Sequence, residues 1–109
     1  MFEIIWSLLE EVWDAIKKVF LKIVSFIKNI VSFFKDPNRI KKLQEDQSRI
    51  AISIKEKLDN GDYNIVNCLF DKQEEKLVTP ETDCEVITTE ELDKETITNF
   101  GNKNMIILG

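Results

Sequence analysis

The chain has 109 residues, of which 43% are hydrophobic and 32% charged, and its formal net charge is −5. This length allows one domain with a modest core, and the hydrophobic content excludes a generically disordered chain. Acidic side chains are concentrated in residues 62–109, which hold eleven Asp and Glu against four Lys, so we expect no nucleic-acid partner.

Residues 1–35 are predicted to form one long amphipathic helix. Apolar residues recur at alternating steps of three and four, as in a heptad seam, and a second apolar stripe at steps of seven lies beside it. Together the stripes form a predicted assembly or membrane face, which comprises Phe2, Ile5, Trp6, Leu9, Val12, Trp13, Ile16, Val19, Phe20, Ile23, Phe26, Ile27, Ile30, Phe33 and Phe34. A face this wide exceeds the seam that one partner helix covers, so it predicts contact with several helices, a sheet or lipid.

Asp36 and Pro37 are predicted to separate this helix from a second one over residues 36–61. A residue before proline is disfavoured in the α region, and Asp is a favoured N-cap with Pro at the first helical position. The second helix should end at Asn60-Gly61. It is shorter than the first, so a hairpin of the two helices would leave part of the N-terminal apolar face uncovered.

Residues 62–109 are predicted to form a small acidic β-rich domain, an antiparallel meander with one short helix. Strands are expected over 63–70, 76–79 and 84–89 because β-branched and aromatic residues dominate there. Asp93 is expected to cap a short helix that stops at Gly101. A last strand, formed by Met105, Ile106, Ile107 and Leu108, either pairs inside this domain or is an exposed edge that pairs with another chain. The predicted fold class is therefore α+β.

The residue types needed for most enzymatic chemistry are missing. The sequence has no His, three Gly and only two Cys, Cys68 and Cys84. Nucleophile pairs that need His, Cys-x-x-Cys zinc sites and glycine-rich phosphate loops are therefore excluded. We expect no enzymatic activity, no metal and no cofactor. The thiols are expected to be buried apolar groups in a reducing cytosol, and a disulfide between neighbouring strands is the alternative.

The N-terminal apolar segment does not have the pattern of a membrane-spanning helix. Its most apolar stretch, residues 19–34, is interrupted by Lys22 and Lys28, and spanning helices need a longer uncharged run. The first residues also lack the positive region of a secretory signal. We therefore predict a cytoplasmic location, with peripheral attachment to a membrane as the alternative.

Three functional hypotheses follow from the uncovered apolar face. The first is a non-enzymatic structural protein that assembles with itself, into a ring, tube or filament, through its N-terminal helix. The second is a membrane-active or pore-forming protein whose aromatic and Lys side chains contact lipid. The third is a small adaptor or immunity protein that binds an unidentified protein partner.

Overall fold

The computed structural model describes residues 1–108, which form an α+β fold around one six-stranded mixed sheet. A first helix, α1, spans Phe2–Glu11 and is followed by a 3₁₀ turn at Trp13–Ala15. The remaining elements, in chain order, are β1 (Lys17–Val24), a π-helix (Phe26–Val31), α2 (Ser32–Phe34), α3 (Pro37–Glu45), β2 (Arg49–Lys57), β3 (Tyr63–Asp71), β4 (Lys76–Leu77), α4 (Pro80–Asp83), β5 (Glu85–Leu92), α5 (Lys94–Phe100) and β6 (Met105–Ile107).

The strands of the sheet follow the order β1-β5-β3-β2-β6, and β4 pairs with β3 outside this path. β1 lies parallel to β5, whereas the other neighbouring pairs are antiparallel. The first and last strands of the chain are therefore the two edges of the sheet. All three predicted segments contribute strands to it, since β1 comes from residues 1–35, β2 from 36–61 and the rest from 62–109.

The prediction of one helix through residues 1–35 is wrong, because α1 ends at Glu11 and residues 17–24 form a strand. Within this strand Val19, Leu21 and Ile23 also alternate with a period of two, a pattern that the helical interpretation overlooked. β-Branched and aromatic side chains favour strands, and pairing with β5 satisfies the backbone on one side. The apolar residues of this segment fit both a helical and a strand period, and pairing with β5 determines that the segment is a strand.

The prediction of a second helix through residue 61 is correct at its start and wrong at its end. The Asp36 carboxylate accepts hydrogen bonds from the amides of Asn38 and Arg39, at 3.0 and 3.3 Å, and caps α3. α3 ends at Glu45, and β2 follows because the segment Ile50 to Ile54 alternates β-branched residues. Gly61, at φ +92°, belongs to the turn of the β2–β3 hairpin instead of a helix end.

The elements predicted for residues 62–109 are largely confirmed, but their arrangement as a meander is wrong. Strands, the Asp93-capped helix and a last short strand occur where expected. β2 and β6 extend the sheet beyond β3. β1 pairs with the other edge of β5 in parallel, so the sheet is mixed. Sequence periodicity cannot predict these long-range pairings because they depend on residues far apart in the chain.

Apolar layers cover both faces of the sheet. α1 buries Ile5 and Leu9 on one face, where they contact side chains of β2, β3 and β5. The π-helix, α2 and α5 bury Ile30, Phe33 and Phe100 on the other. Among residues 1–108, no helix is long and apolar enough to cross a bilayer.

Candidate interaction surface

The fifteen residues of the predicted assembly face have three different fates. Seven are buried in the core, namely Ile5, Leu9, Ile16, Phe26, Ile30, Phe33 and Phe34. Five are half-buried, namely Phe2, Trp6, Val12, Trp13 and Val19. Phe20, Ile23 and Ile27 remain exposed, at 61%, 50% and 52%. The structure thus does not bring the fifteen together into one surface, and its exposed members lie on β1 and just after it.

Half-buried aromatic rings form a row along α1 and the 3₁₀ turn that follows it. Phe2 and Trp6 stack with ring centroids 6.1 Å apart, and Trp6 and Trp13 follow at 5.9 Å. The rings also contact the apolar layer beneath α1. Most of the large aromatic surface that suggested an uncovered helix is therefore shielded by the chain itself.

The outer edge of β1 is unpaired. β1 pairs with β5 only, and no other strand of residues 1–108 lies along its second edge. The carbonyl oxygens of Lys22 and Val24 face inward, since they accept hydrogen bonds from Thr89 Oγ1 at 3.1 Å and the Asp93 amide at 2.9 Å. Neighbouring residues of a strand present their backbone groups to opposite edges. The outward N–H and C=O groups therefore belong to Val19, Leu21 and Ile23.

The side chains of β1 leave apolar surface beside this edge. Leu21 packs half-buried against the layer that contains the π-helix. Phe20 lies on the opposite face of the sheet. It pairs in register with Thr88, which shares the face of Val86 beneath α1, whereas Ile87 faces the layer of the π-helix. Edge strands that expose both apolar side chains and backbone groups are ready sites for strand addition.

Lysines flank the apolar residues of β1, and one of the three, Lys18, has direct side-chain contacts within residues 1–108. Lys18 Nζ donates to the carbonyls of Trp13 and, at 3.2 Å, Ile16, and lies 5.7 Å from the Trp13 ring centroid. Lys17 pairs in register with Glu85, whose pKa is raised by burial and partly lowered again by Lys17 and Arg39. Neither Lys17 nor Lys22 forms an ion pair within 4 Å among residues 1–108.

The opposite edge of the sheet is much shorter. β6 has three residues, Met105–Ile107, and pairs with the middle of β2. Leu108 continues this contact through its amide, which donates to the Ala51 carbonyl at 2.9 Å. The predicted edge strand is thus at an edge and also paired within its own sheet. Short edge strands resist unwanted pairing, so β1 is the more accessible template.

The start of α5 supports the far end of β1. The Asp93 carboxylate accepts hydrogen bonds from the Phe26 amide, at 3.2 Å to each oxygen, and from the Thr96 amide at 2.9 Å. One side chain thus connects the N-terminus of α5 to the first residue of the π-helix. This contact holds the start of the π-helix against the start of α5, directly after β1 ends.

Other chemistry is sparse in the part of the chain that the structure describes. No group of three or more Cys, Asp or Glu side chains in residues 1–108 is placed to hold a metal ion. A polar surface cavity of about 280 Å³ lies between β1, β5 and α3, and Lys17, Lys28, Arg39 and Glu85 line it. Comparisons with protein-family models, curated proteins and solved structures each find no match for this chain.

Sequence reasoning identified Val19, Phe20 and Ile23 as surface residues but assigned them to a helix. It did not include Leu21 and Lys22, because a helical period places them away from the apolar stripes. The signal that points to them is the alternation of Val19, Leu21 and Ile23. Once β1 is recognised as a strand, these five consecutive residues form its unpaired edge, which we call the β1 edge.

Proposed function

We propose that the chain is a non-enzymatic interaction protein that associates with a second copy of itself through the β1 edge. The observation that carries the proposal is an eight-residue edge strand with outward backbone groups and exposed Phe20 and Ile23. Antiparallel pairing of two β1 strands would join two sheets into one. This is the self-association hypothesis, with a strand edge in place of the predicted helix.

The pattern of β1 favours one particular register. A two-fold axis through the pair sets one residue opposite itself, and Leu21 lies near the middle of the strand. With Leu21 on the axis, Val19 of one copy lies opposite Ile23 of the partner subunit. Residues directly opposite each other contact side by side in an antiparallel pair. Apolar side chains of both copies would then cover one another on the Leu21 face.

Charge supports the same register on the other face. With Leu21 on the axis, Phe20 lies opposite the partner subunit's Lys22, so that the ammonium group and its alkyl stem pack on an aromatic ring. With Phe20 on the axis instead, Lys18 lies opposite the partner subunit's Lys22. Like charges directly opposite each other are destabilising. The lysines of β1 therefore restrict the register without blocking pairing.

The proposed contact predicts a weak dimer. Two single strands bury less surface than the roughly 1,200–2,000 Å² of standard stable interfaces. The three-residue β6 strand offers little for a second contact, so we propose a closed dimer in preference to a filament. Association through β1 alone uses the same surface on both copies, which is the isologous arrangement typical of dimers.

Light scattering coupled to size-exclusion chromatography, from about 1 μM to 1 mM protein, tests the proposal. We expect the mean mass to rise from monomer towards dimer over this range. Ile23→Lys should weaken the dimer by about tenfold or more, because each dimer then places two lysines opposite Val19. Ile107→Lys is the matched control, since Ile23 and Ile107 are both 50% exposed and both lie on edge strands.

The two variants also distinguish the alternatives. A monomeric mass at every concentration would refute self-association and would favour strand addition by a different protein. Weakening by Ile107→Lys but not by Ile23→Lys would assign the contact to β6. Circular dichroism before each measurement confirms that the variants are folded, which is expected because both side chains are half exposed.

A second candidate function, attachment to a membrane surface, is favoured by the N-terminal end of α1. Met1 and Ile4 are 49% and 43% exposed, next to the half-buried rings of Phe2 and Trp6. Aromatic rings with exposed aliphatic neighbours are typical of helices that lie in a bilayer interface. Glu3 and Glu10 on the same helix oppose binding to anionic lipid, so neutral lipid is the better ligand for this surface.

Vesicles of phosphatidylcholine, with and without anionic lipid, test this second candidate. Binding should shift Trp fluorescence to shorter wavelength and should be lost in Ile4→Asp but not in the exposed α5 control Ile97→Asp. Release of an encapsulated dye would extend the proposal to pore formation. Absence of co-sedimentation with every vesicle composition would refute it.

A further inference from the structure

Cys68 and Cys84 stand opposite each other where β5 begins. The β3–β5 ladder runs to the pair Asn67 and Glu85, so the antiparallel register continued by one residue places Cys84 opposite Cys68. Cys84 has extended backbone angles, φ −124° and ψ 149°. Residues opposite each other in antiparallel strands have Cα atoms about 4.5–5.5 Å apart. This lies within the roughly 4.4–6.8 Å that disulfides require.

The two side chains share one environment. Both thiols belong to the apolar layer beneath α1 and are 0% and 2% exposed. A hydrogen bond with the Cys84 thiol, together with burial, raises the pKa of Cys68 well above its ordinary value. The two side chains therefore lie on the same face of the sheet, and Cys68 is protonated in the folded chain.

Neither thiol is open to solvent in the folded chain, since both lie in the layer beneath α1. Cys84 is among the residues that line the cavity of about 280 Å³, but Phe33 of the opposite layer also lines it, so the cavity does not lead to the thiol. A reagent therefore reaches the pair through local opening at the start of β5. Glutathione disulfide is small enough to enter through such an opening.

We infer that Cys68 and Cys84 form a dithiol site that a small-molecule disulfide oxidises to an intramolecular cross-strand disulfide. One of the two thiols loses its proton to water, and its thiolate attacks one sulfur of glutathione disulfide and displaces one glutathione thiolate. The other thiol then loses its proton to water and attacks the sulfur of the first cysteine, which displaces the second glutathione thiolate. The two protein thiols lose two electrons in total, and the reagent is reduced to two molecules of glutathione.

The new bond would connect β3 to the start of β5 across the α4 turn. It closes a loop of about 15 residues, for which restriction of the unfolded chain gives a substantial gain in stability. We expect the melting temperature of the oxidised chain to exceed that of the reduced chain by about 10 °C or more. Because β1 is not involved, oxidation should leave the concentration dependence of dimer formation unchanged.

Intact-mass spectrometry after incubation of the folded chain with glutathione disulfide, followed by alkylation of remaining thiols, tests the site. The unsubstituted chain should lose both thiols, gain no glutathione and stay a single chain. Cys68→Ala and Cys84→Ala each lack one thiol of the pair, so neither should form an intramolecular disulfide or gain melting temperature in the same treatment.

Several results would overturn the inference. These are persistence of both thiols in the folded chain, disulfides between chains, and glutathione that stays attached to the unsubstituted chain. If either Ala variant fails to fold, the mass and melting temperature of the unsubstituted chain decide alone. A chain that is oxidised without a rise in melting temperature would contradict a bond formed in the native register.

Discussion

The Asn67 side chain on β3 donates a hydrogen bond from Nδ2 to the Asn29 carbonyl in the π-helix, at 3.2 Å. Its Oδ1 accepts from the Ser53 hydroxyl on β2, at 2.8 Å, and both side chains are fully buried. A π-helix is an unusual element, and this contact attaches it to the middle of the sheet. Buried polar groups of this kind are costly when a partner is removed.

Asn67→Ala should therefore destabilise the fold by about 1–3 kcal/mol, because it leaves the Ser53 hydroxyl and the Asn29 carbonyl without their partner. Urea unfolding followed by circular dichroism measures the change. Asn102→Ala, at an exposed position, is the control and should change stability by less than about 0.5 kcal/mol. Equal effects of the two substitutions would show that the buried hydrogen bonds do not anchor the π-helix.

Asp83 is the buried centre of an ion cluster. Its carboxylate pairs with Arg39 Nε at 3.2 Å and with Lys42 Nζ, and its side chain is 5% exposed. Arg39 also lies 3.8 Å from the centroid of the Phe33 ring. These contacts join α3 to the α4 turn, and therefore hold the segment before β5 in place.

Asp83→Ala should cost about 2–3 kcal/mol of stability. Removal of one partner from a buried pair leaves uncompensated charge, and the partial exposure of Arg39 and Lys42 reduces the penalty. Glu74→Ala, which removes a pair with Lys76 at the surface, is the matched control and should have little effect. The denaturant midpoint of Asp83→Ala should be clearly lower than that of Glu74→Ala. Equal midpoints would mean that the ion cluster does not stabilise the fold.

Asp93 should make stability depend on pH. Burial acts to raise the pKa of this carboxyl, but hydrogen bonds from the Thr96 side chain and from the Thr96 and Phe26 amides outweigh it, so the pKa is lowered. Because the folded pKa lies below the unfolded value of about 3.9, the contribution is complete above that value. It is lost as pH falls through the folded pKa.

Asp93→Asn keeps a capping oxygen but removes the charge, so it should be less stable than the unsubstituted chain at pH 7. The difference should shrink as the pH falls from about 5 towards 2. Thermal unfolding of both chains across this range measures it. A difference that stays constant with pH would mean that the carboxylate charge adds nothing to the cap.

Local structure was predicted correctly where a single residue type decides it. Asp36 and Asp93 cap helices as expected, because the side-chain oxygen of a non-helical N-cap residue accepts hydrogen bonds from the first helical amides wherever the helix packs. β3 was equally clear, because its β-branched and aromatic residues are bounded by polar turns. These signals depend only on residues a few positions apart.

The N-terminal third was predicted wrongly because its pattern fits two periods. Steps of three and four through Val19, Ile23 and Phe26 describe a helix, whereas Val19, Leu21 and Ile23 describe a strand. What decides is the pairing of β1 with β5, more than sixty residues later. No pattern within residues 1–35 indicates that contact. Because β1 pairs with β5, most of the apolar residues predicted for an exposed helix face lie in the core, and the rest lie on or beside one strand edge.

Disulfide trapping at β1 tests the proposed dimer most directly. Residues opposite each other in hydrogen-bonded antiparallel pairs have Cα atoms about 5.5 Å apart, which allows a disulfide. Leu21→Cys, at the residue on the proposed axis, should therefore form covalent dimers under mild oxidation, and peptide mapping should locate the bond between the substituted positions of the two copies. Phe20→Cys should cross-link much more slowly, because Lys22 of the partner subunit lies opposite it. Faster cross-linking of Phe20→Cys, or none in either variant, would contradict pairing of two β1 strands about Leu21.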